Sequence, residues 1–246
     1  MRILGCSLVF LIVMTIAETV VASDAVDMLP ISIDIHDKAR LQRGAKLFMN
    51  YCSGCHSLRY LRYNRMAKDL GITTFDGSVD EDLLKNNLIF TTSKIHDPIQ
   101  ISMPPVDARQ WFGKAPPDLS LSARERGPNW IYTYLKSFYV DKKRPFGTNN
   151  LVIPEVAMPN ILFPLQGEVL AVKKGNEQPY LQLVSQGEMS QPQFDSALQD
   201  LVTFLTYVGE PVKLVRYRLG IFVLIFLAVL LVFAYQLKKT YWRRIH

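Results

Sequence analysis

The chain has 246 residues, with hydrophobic residues at 49% and charged residues at 20%, which excludes a disordered or collagen-like polymer. Its three cysteines are too few for a disulfide-stapled scaffold. The net charge of +6 does not mark a nucleic-acid binder: residues 24–210 carry 20 Lys and Arg against 21 Asp and Glu, while residues 211–246 carry seven bases and no acid beside an apolar run, as at a membrane surface.

Residues 1–23 open with Met1-Arg2, run apolar from Ile3 to Ala22 and end on the small residues Ala22-Ser23. That layout predicts a secretory signal peptide, cleaved near Ala22 or Ser23 and carrying Cys6 away with it. Residues 24–210 then form one exported domain. Asp37 to Tyr51 reads as a helix with Leu41, Ala45 and Phe48 on one face.

Directly after it comes Cys52-Ser53-Gly54-Cys55-His56. C-x-x-C-H is the attachment signature of c-type haem. Cysteines three apart share one face of a helical turn, so both sulfurs can form thioethers with the two porphyrin vinyl groups, and the adjacent His56 is aimed at the iron. A thioredoxin-like pair would need no histidine and a βαβ setting. A zinc site would need more ligands than His36 and His96 offer. A Cys52–Cys55 disulfide would leave the spacing without a purpose. Arg59, Arg62 and Arg65 follow at helical spacing and read as a solvated basic stripe or a surface for neighbouring subunits.

The sixth iron ligand has to come from further along. Candidates are Met66, His96, Met103, Met158 and Met189. A thioether favours ferrous iron and raises the potential; a second histidine lowers it. Met103 and Met158 both sit in Pro-bearing loops, and spacing does not choose between them. The middle of the domain is punctuated by Met103-Pro-Pro105, Ala115-Pro-Pro-Asp118, Arg144-Pro-Phe-Gly147 and the run from Pro154 to Pro164. Strand-like runs occupy Glu168–Val172 and Leu181–Val184. Phe194 to Val208 reads as a helix, with Phe194, Leu198, Leu201, Leu205 and Val208 at spacings of four and three.

Residues 211–246 form a membrane anchor. The uncharged run Leu219 to Leu237 spans about 28 Å at about 1.5 Å per residue, close to the hydrocarbon core of a bilayer. Tyr235, Tyr241 and Trp242 sit where an interfacial aromatic belt belongs. Because the domain is exported first, the basic tail from Lys238 to His246 stays in the cytoplasm.

The segment Cys52-Ser-Gly-Cys-His-Ser-Leu-Arg-Tyr-Leu-Arg-Tyr-Asn-Arg65 extends well past C-x-x-C-H. Together with Ala115-Pro116-Pro117-Asp118-Leu119-Ser120, Trp130 to Tyr139, Asn149-Asn150, Glu155-Val-Ala-Met158-Pro and Tyr241-Trp242, it resembles the cytochrome c1 family, the haem subunits of the cytochrome bc1 complex. The resemblance runs over nearly the whole mature chain. It implies a mainly α fold of the class I cytochrome c type with long loop insertions, plus one C-terminal transmembrane helix. It implies one covalent haem c, with Cys52, Cys55 and His56 in the attachment motif. It selects Met158 as sixth ligand, places Pro117 against the porphyrin and puts Arg126 near a propionate. Gly44 and Phe48 are then expected to face Leu201, Leu205 and Tyr207 at a helix crossing. The implied role is electron transfer, with no catalytic residue of the subunit's own, from the Rieske iron–sulfur protein to a soluble or membrane-bound cytochrome c. The implied partners also include cytochrome b and the lipid bilayer, in a dimeric complex; nucleic acid is not among them. The alternative is a free-standing, membrane-anchored c-type cytochrome outside such a complex. The signal peptide looks bacterial rather than like an Arg-rich, acid-poor transit peptide, and points to the inner membrane of a bacterium with the haem domain in the periplasm.

Overall fold

The computed structural model describes residues 26–101, 103–173, 175 and 179–243. The expected signal peptide at 1–23, with Cys6, lies outside the described residues. Helix α1, Lys38–Leu47, starts on Asp37, whose carboxylate accepts from the Arg40 N–H at 3.0 Å. This N-cap satisfies one of the donors a helix start leaves free. The helix does not run on to Tyr51 as a regular α-helix. Phe48–Cys52 rewinds into one π turn, closed by Ser53 N–H donating to Phe48 O at 2.9 Å. Such turns shift the register by one residue and are frequent where a helix delivers residues to a site.

Along the chain follow β1 (Leu58–Arg62), α2 (Tyr63–Leu70), α3 (Glu81–Asn87), β2 (Pro98–Ile99) and α4 (Pro105–Phe112). Then come α5 (Ser122–Arg126), α6 (Pro128–Lys136), β3 (Phe138–Val140), β4 (Thr148–Asn150) and α7 (Phe163–Gln166). The series ends with β5 (Gly167–Val172), β6 (Tyr180–Gln186), α8 (Gln191–Gly209) and α9 (Lys213–Trp242). Among the described residues the strands pair as β1–β2, β3–β4 and β5–β6, all antiparallel. The chain is about half helical, as expected, and the two strand-like runs form the β5–β6 hairpin.

The long packed helix is α8. Ser190 and Gln193 form a reciprocal capping box at its start. Phe194, Leu198, Leu201, Leu205 and Val208 are all buried, as their spacing requires. Helix α1 crosses α8 so closely that a Cβ on Gly44 would lie 2.1 Å from the Asp200 carbonyl oxygen and 2.7 Å from the Phe204 Cβ. The expected glycine crossing is therefore present, with Asp200 and Phe204 nearest to Gly44. A residue without a side chain meets the facing backbone, and the leucines turn into the core beside it. Phe48 continues the contact, its ring 5.9 Å from that of Phe204. Asp200 is buried, and its charge is answered by Arg43 through two bonds of 2.6 and 3.1 Å.

Two expectations need correction. Arg59 and Arg62 lie on strand β1 and Arg65 on α2, so the three do not form a helical stripe. A three-residue spacing is shared by a helix and by a strand that turns into one. Each arginine has its own partner: Asp118 at 3.9 Å, the His96 carbonyl at 2.6 Å and Asp69 at 2.6 Å. The segment after Met103-Pro104 is helical rather than a loop, because Pro105 occupies the first position of α4, where its missing N–H costs nothing.

Helix α9 is longer at both ends than the predicted 219–237. None of its 30 residues is buried, although Leu214 near its start packs on the core, and its most apolar window has a mean hydropathy of 2.6. At about 1.5 Å per residue it reaches about 45 Å, enough to cross a bilayer and carry Tyr241 and Trp242 past the hydrocarbon.

Candidate functional site

The π turn ends on Cys52, and the next four residues curl back over it. Cys55 N–H and His56 N–H both donate to the Cys52 carbonyl, at 3.0 and 2.8 Å. Cys52 is buried and Cys55 half-buried, and the two sulfurs are unpaired. Burial pushes the Cys52 thiol up to about 12, with the neighbouring Cys55 adding to the shift; burial also raises Cys55. Both are thus protonated thiols at neutral pH, unlike the low-pKa pair of a disulfide oxidoreductase.

His56 is buried, 8% exposed. Its Nδ1 lies 2.8 Å from the Pro117 carbonyl oxygen. A carbonyl can only accept, so Nδ1 carries the proton and Nε2 keeps its lone pair. Burial lowers the pKa of His56, outweighing the opposite pulls of the Pro117 carbonyl and Asp118, so the ring is neutral. An imidazole held this way by a backbone carbonyl is oriented as a metal ligand.

The Pro117 loop is fastened to the segment after the motif at three further points, and the segment after β2 at a fourth. Leu119 N–H donates to Ser57 O at 2.9 Å, and Ile101 N–H to Ser57 Oγ at 3.1 Å. Arg59 N–H donates to an Asp118 carboxylate oxygen at 2.9 Å, and Tyr60 N–H to Ser120 Oγ at 3.2 Å.

Met158 is half-buried and rests against the same core that contains Cys52. Its Sδ accepts from the Tyr134 Oη at 3.4 Å. The loop that carries it is shaped by two buried asparagines. Asn150 Oδ1 accepts from Val152 N–H at 2.9 Å and Ile153 N–H at 3.1 Å, while its Nδ2 donates to the Tyr134 carbonyl at 2.8 Å. Asn149 Oδ1 accepts from Glu155 N–H at 2.8 Å. Glu155 itself has φ of 60°, a left-handed turn that a non-glycine residue takes only under such constraint.

Arg126 does not stand alone. Its guanidinium lies 5.1 Å from the centroid of the Trp130 ring and beside Glu125, at 3.6 Å. Trp130 stacks on Tyr134 at 5.2 Å with only 5° between the planes. Gly127, at φ 87°, makes the turn that lets α6 begin on Pro128 and aim Trp130 back under Arg126. Arg126, Trp130, Tyr134 and Met158 thus form one continuous column. The sequence names its two ends and misses the middle, although the spacing of four from Arg126 to Trp130 to Tyr134 was a readable signal.

The site residues therefore fall into two linked sets: Cys52, Cys55, His56 and Pro117 in one, Met158 and Arg126 in the other. The remaining sixth-ligand candidates stand elsewhere. Met66 is wholly inside the core on α2, and Met189 rests on the core just before α8. His96 Nδ1 is engaged with Asn64 at 3.1 Å, and the ring borders an open cleft of about 510 Å³ shared with Glu81, Lys85 and Lys94. Met103 is half-buried ahead of α4.

This donor set fits a c-type haem: two unpaired thiols one turn apart, and a neutral imidazole with a free Nε2. Among the described residues, no group of three or more His, Cys, Asp or Glu could hold a bare metal ion instead.

Comparison with known proteins points the same way. The sequence model of the cytochrome C1 family matches residues 31–245. A cytochrome c1 of Allochromatium vinosum is 50% identical over 222 residues, covering 87% of this chain and 88% of the relative. A protein of Nitrosomonas europaea named ammonia monooxygenase gamma subunit is 44% identical, covering 87% of each. A cytochrome c1 of Rhodospirillum rubrum is 29% identical, covering 85% of this chain and 82% of the relative.

Proposed function

The chain belongs to the cytochrome c1 family, and from that premise we propose that Cys52 and Cys55 would hold one haem c through two thioether bonds and that His56 and Met158 would ligate its iron. The protein is an electron-transfer haem subunit of a cytochrome bc1 complex. A free-standing cytochrome is not favoured, since cytochromes c1 match this chain over most of its length.

The group supplies a reversible one-electron couple at its iron. The chain's own residues do the rest. The Pro117 carbonyl fixes the tautomer and direction of His56, and Pro117 itself borders the porphyrin. Tyr134, Trp130 and the asparagine-held loop keep Met158 in place and water out. Arg126, a bidentate donor, answers a propionate. No bond in a substrate changes, so the subunit needs no acid, base or nucleophile and is not catalytic by itself. Electrons arrive from the Rieske iron–sulfur protein and leave to a cytochrome c. Cytochrome b and the bilayer hold the subunit, in a dimeric complex.

Residues 1–23 serve as a cleaved signal peptide, 24–210 as the periplasmic haem domain and 211–246 as the anchor in a bacterial inner membrane. The uncharged run of α9, with no buried residue, supports the anchor.

The observation that carries the haem assignment is the buried His56, held through Nδ1 beside two unpaired thiols. The test is the mass of the denatured chain after organic extraction. It should exceed the polypeptide mass by one haem. A haem that washes out contradicts the thioethers. The assembly is tested by purification from native membranes, which should bring cytochrome b along; recovery with monooxygenase subunits would direct the chain to the assembly named for its Nitrosomonas relative.

A further inference from the structure

We propose that Arg144 is a positioning residue for Met158: it holds Glu155 in a left-handed turn three residues ahead of the sulfur, and so keeps the sulfur where a ligand has to stand. The proposal rests on the reading of Met158 as axial ligand and assigns the group that locks its loop.

Among the described residues, Glu155 alone has a positive φ without being glycine. It forms a turn with Pro154, and a positive φ after a turn proline ordinarily calls for glycine. A side chain there disfavours the conformation by about tenfold. All three polar groups of Glu155 are held, and by one hairpin. Asn149 Oδ1, on β4, accepts from Glu155 N–H at 2.8 Å. Arg144, in the turn between β3 and β4, donates from Nη2 to the Glu155 carbonyl at 3.0 Å, and its Nη1 lies 3.5 Å from the Glu155 carboxylate. The backbone of Arg144 is itself fixed: its N–H donates to Asp141 O at 3.1 Å and its carbonyl accepts from Gly147 N–H at 3.0 Å. Past Met158, Asn160 N–H donates to Thr148 Oγ1 at 3.3 Å. The hairpin therefore grips the chain on both sides of the sulfur.

The two bonds to the backbone of Glu155 act on opposite sides of its Cα. Asn149 holds the peptide before it and Arg144 the peptide after it, so together they lock the rotation that sets φ. Neither does so alone. The ion pair is the lesser part, since the Glu155 side chain is 79% exposed and so wet a pair contributes little. The guanidinium is only 27% exposed, and its bond to the carbonyl is the one that counts. Released from Arg144, φ would swing by about 120° to the ordinary range. Val156 and Ala157 would then carry Met158 off its position. Were Arg144 only a surface charge or a general support of the fold, its removal would lower stability without freeing the sulfur.

The test is the rate at which cyanide displaces the sulfur from the oxidised protein, in membranes that hold the full chain. It is read as loss of the weak ferric absorbance near the red end of the spectrum, which reports sulfur–iron bonding. Cyanide binds only the form whose sulfur is off, so the rate follows the population of that form. In Arg144→Ala the rate should rise about tenfold, with haem still attached. In Arg144→Lys, which keeps the charge but not the fork of donors, it should rise as well. Adding Glu155→Gly to either variant should bring the rate back to within about threefold of the wild type, because glycine takes a positive φ at no steric cost. An unchanged rate in Arg144→Ala overturns the proposal. So does a rise that Glu155→Gly leaves in place, which would mean that Arg144 acts elsewhere than on this turn. If Arg144→Ala does not retain haem, Arg144→Lys with and without Glu155→Gly decides by the same two outcomes. Met158→Leu separates the two readings. If the absorbance survives there, the ligand assignment fails; if it vanishes there while the Arg144 variants keep the wild-type rate, only the clamp fails.

Discussion

Around His56 the chain folds back on its own backbone and is fastened by short side chains of the Pro117 loop, whereas around Met158 it is held by asparagine and aromatic side chains. The first region is a π turn, two N–H groups folded onto the Cys52 carbonyl, and a loop whose Pro117 carbonyl grips the imidazole. The second is a loop with no regular structure, templated by Asn149 and Asn150 and touching its aromatic wall through one sulfur contact. His56 is oriented by a distant carbonyl but stands next to the cysteines of its motif, so the motif names it. Met158 has no such local motif, and residues 8 to 24 positions away fix it. The difference also separates what each side contributes: the histidine side fixes attachment and orientation, and the methionine side is where the electronic character is set.

Breaking the side-chain template should have the largest effect on stability. Asn150 is 1% exposed and satisfies three backbone groups. Asn150→Ala should cost about 3 kcal/mol or more, since each stranded buried group is worth about 1–3 kcal/mol. Chemical denaturation of the full chain in detergent reads this, and the variant should also lose the ferric sulfur–iron absorbance before it loses haem. A loss under about 1 kcal/mol would mean the loop holds itself.

On the histidine side, Asp118 is the side chain that joins the two strands of backbone, accepting from Arg59 N–H and Ser120 N–H, both at 2.9 Å. Asp118→Ala should cost about 1–3 kcal/mol and leave the sulfur–iron absorbance intact, because the damage stays on its own side. An equal loss of that absorbance would erase the distinction between the regions.

How much of this was legible follows the same division. The haem motif and the packed face of α8 were readable because their patterns are local: five consecutive residues in one case, a 3.6-residue period in the other. The π turn was not, since an i to i+5 bond leaves no mark in residue types. β1 was read as part of a helical stripe because Arg59, Arg62 and Arg65 are three apart, and its partner β2 is only two residues long, too short for an alternating pattern to declare itself. The asparagine pair was noticed without a role. Its role lies in backbone N–H groups several residues on, which only the folded loop brings into reach.

Alkaline titration should sharpen the comparison more gently. Burial pushes Tyr134 up to about 12, while an unfolded tyrosine ionises near 10. The folded state therefore holds this proton longer. The contribution is complete below about pH 10 and is lost as pH rises toward about 12. The stability of the wild type should fall more steeply over that interval than that of Tyr134→Phe. Tyr207, also raised by burial and by its bond to Asp69, remains in both and cancels. Identical slopes would mean that Tyr134 is hydrated.

The smallest effect belongs to Arg59. Its pair with Asp118 is 3.9 Å long and its side chain is 61% exposed. Arg59→Ala keeps the backbone N–H that Asp118 binds, and should change stability by no more than about 0.5 kcal/mol. A loss several times larger, read by the same denaturation, would give the guanidinium a structural part that its geometry denies.

The most direct measurement is the ferric sulfur–iron absorbance of the full chain in Met158→Leu and Met103→Leu. Leucine keeps roughly the volume of methionine, so both variants should fold and attach haem. In Met158→Leu the absorbance should vanish, the potential should fall, and the opened position should bind carbon monoxide. Met103→Leu should match the wild type in all three. Retention of the absorbance in Met158→Leu, together with its loss in Met103→Leu, would contradict the account and move the sixth ligand to the loop before α4.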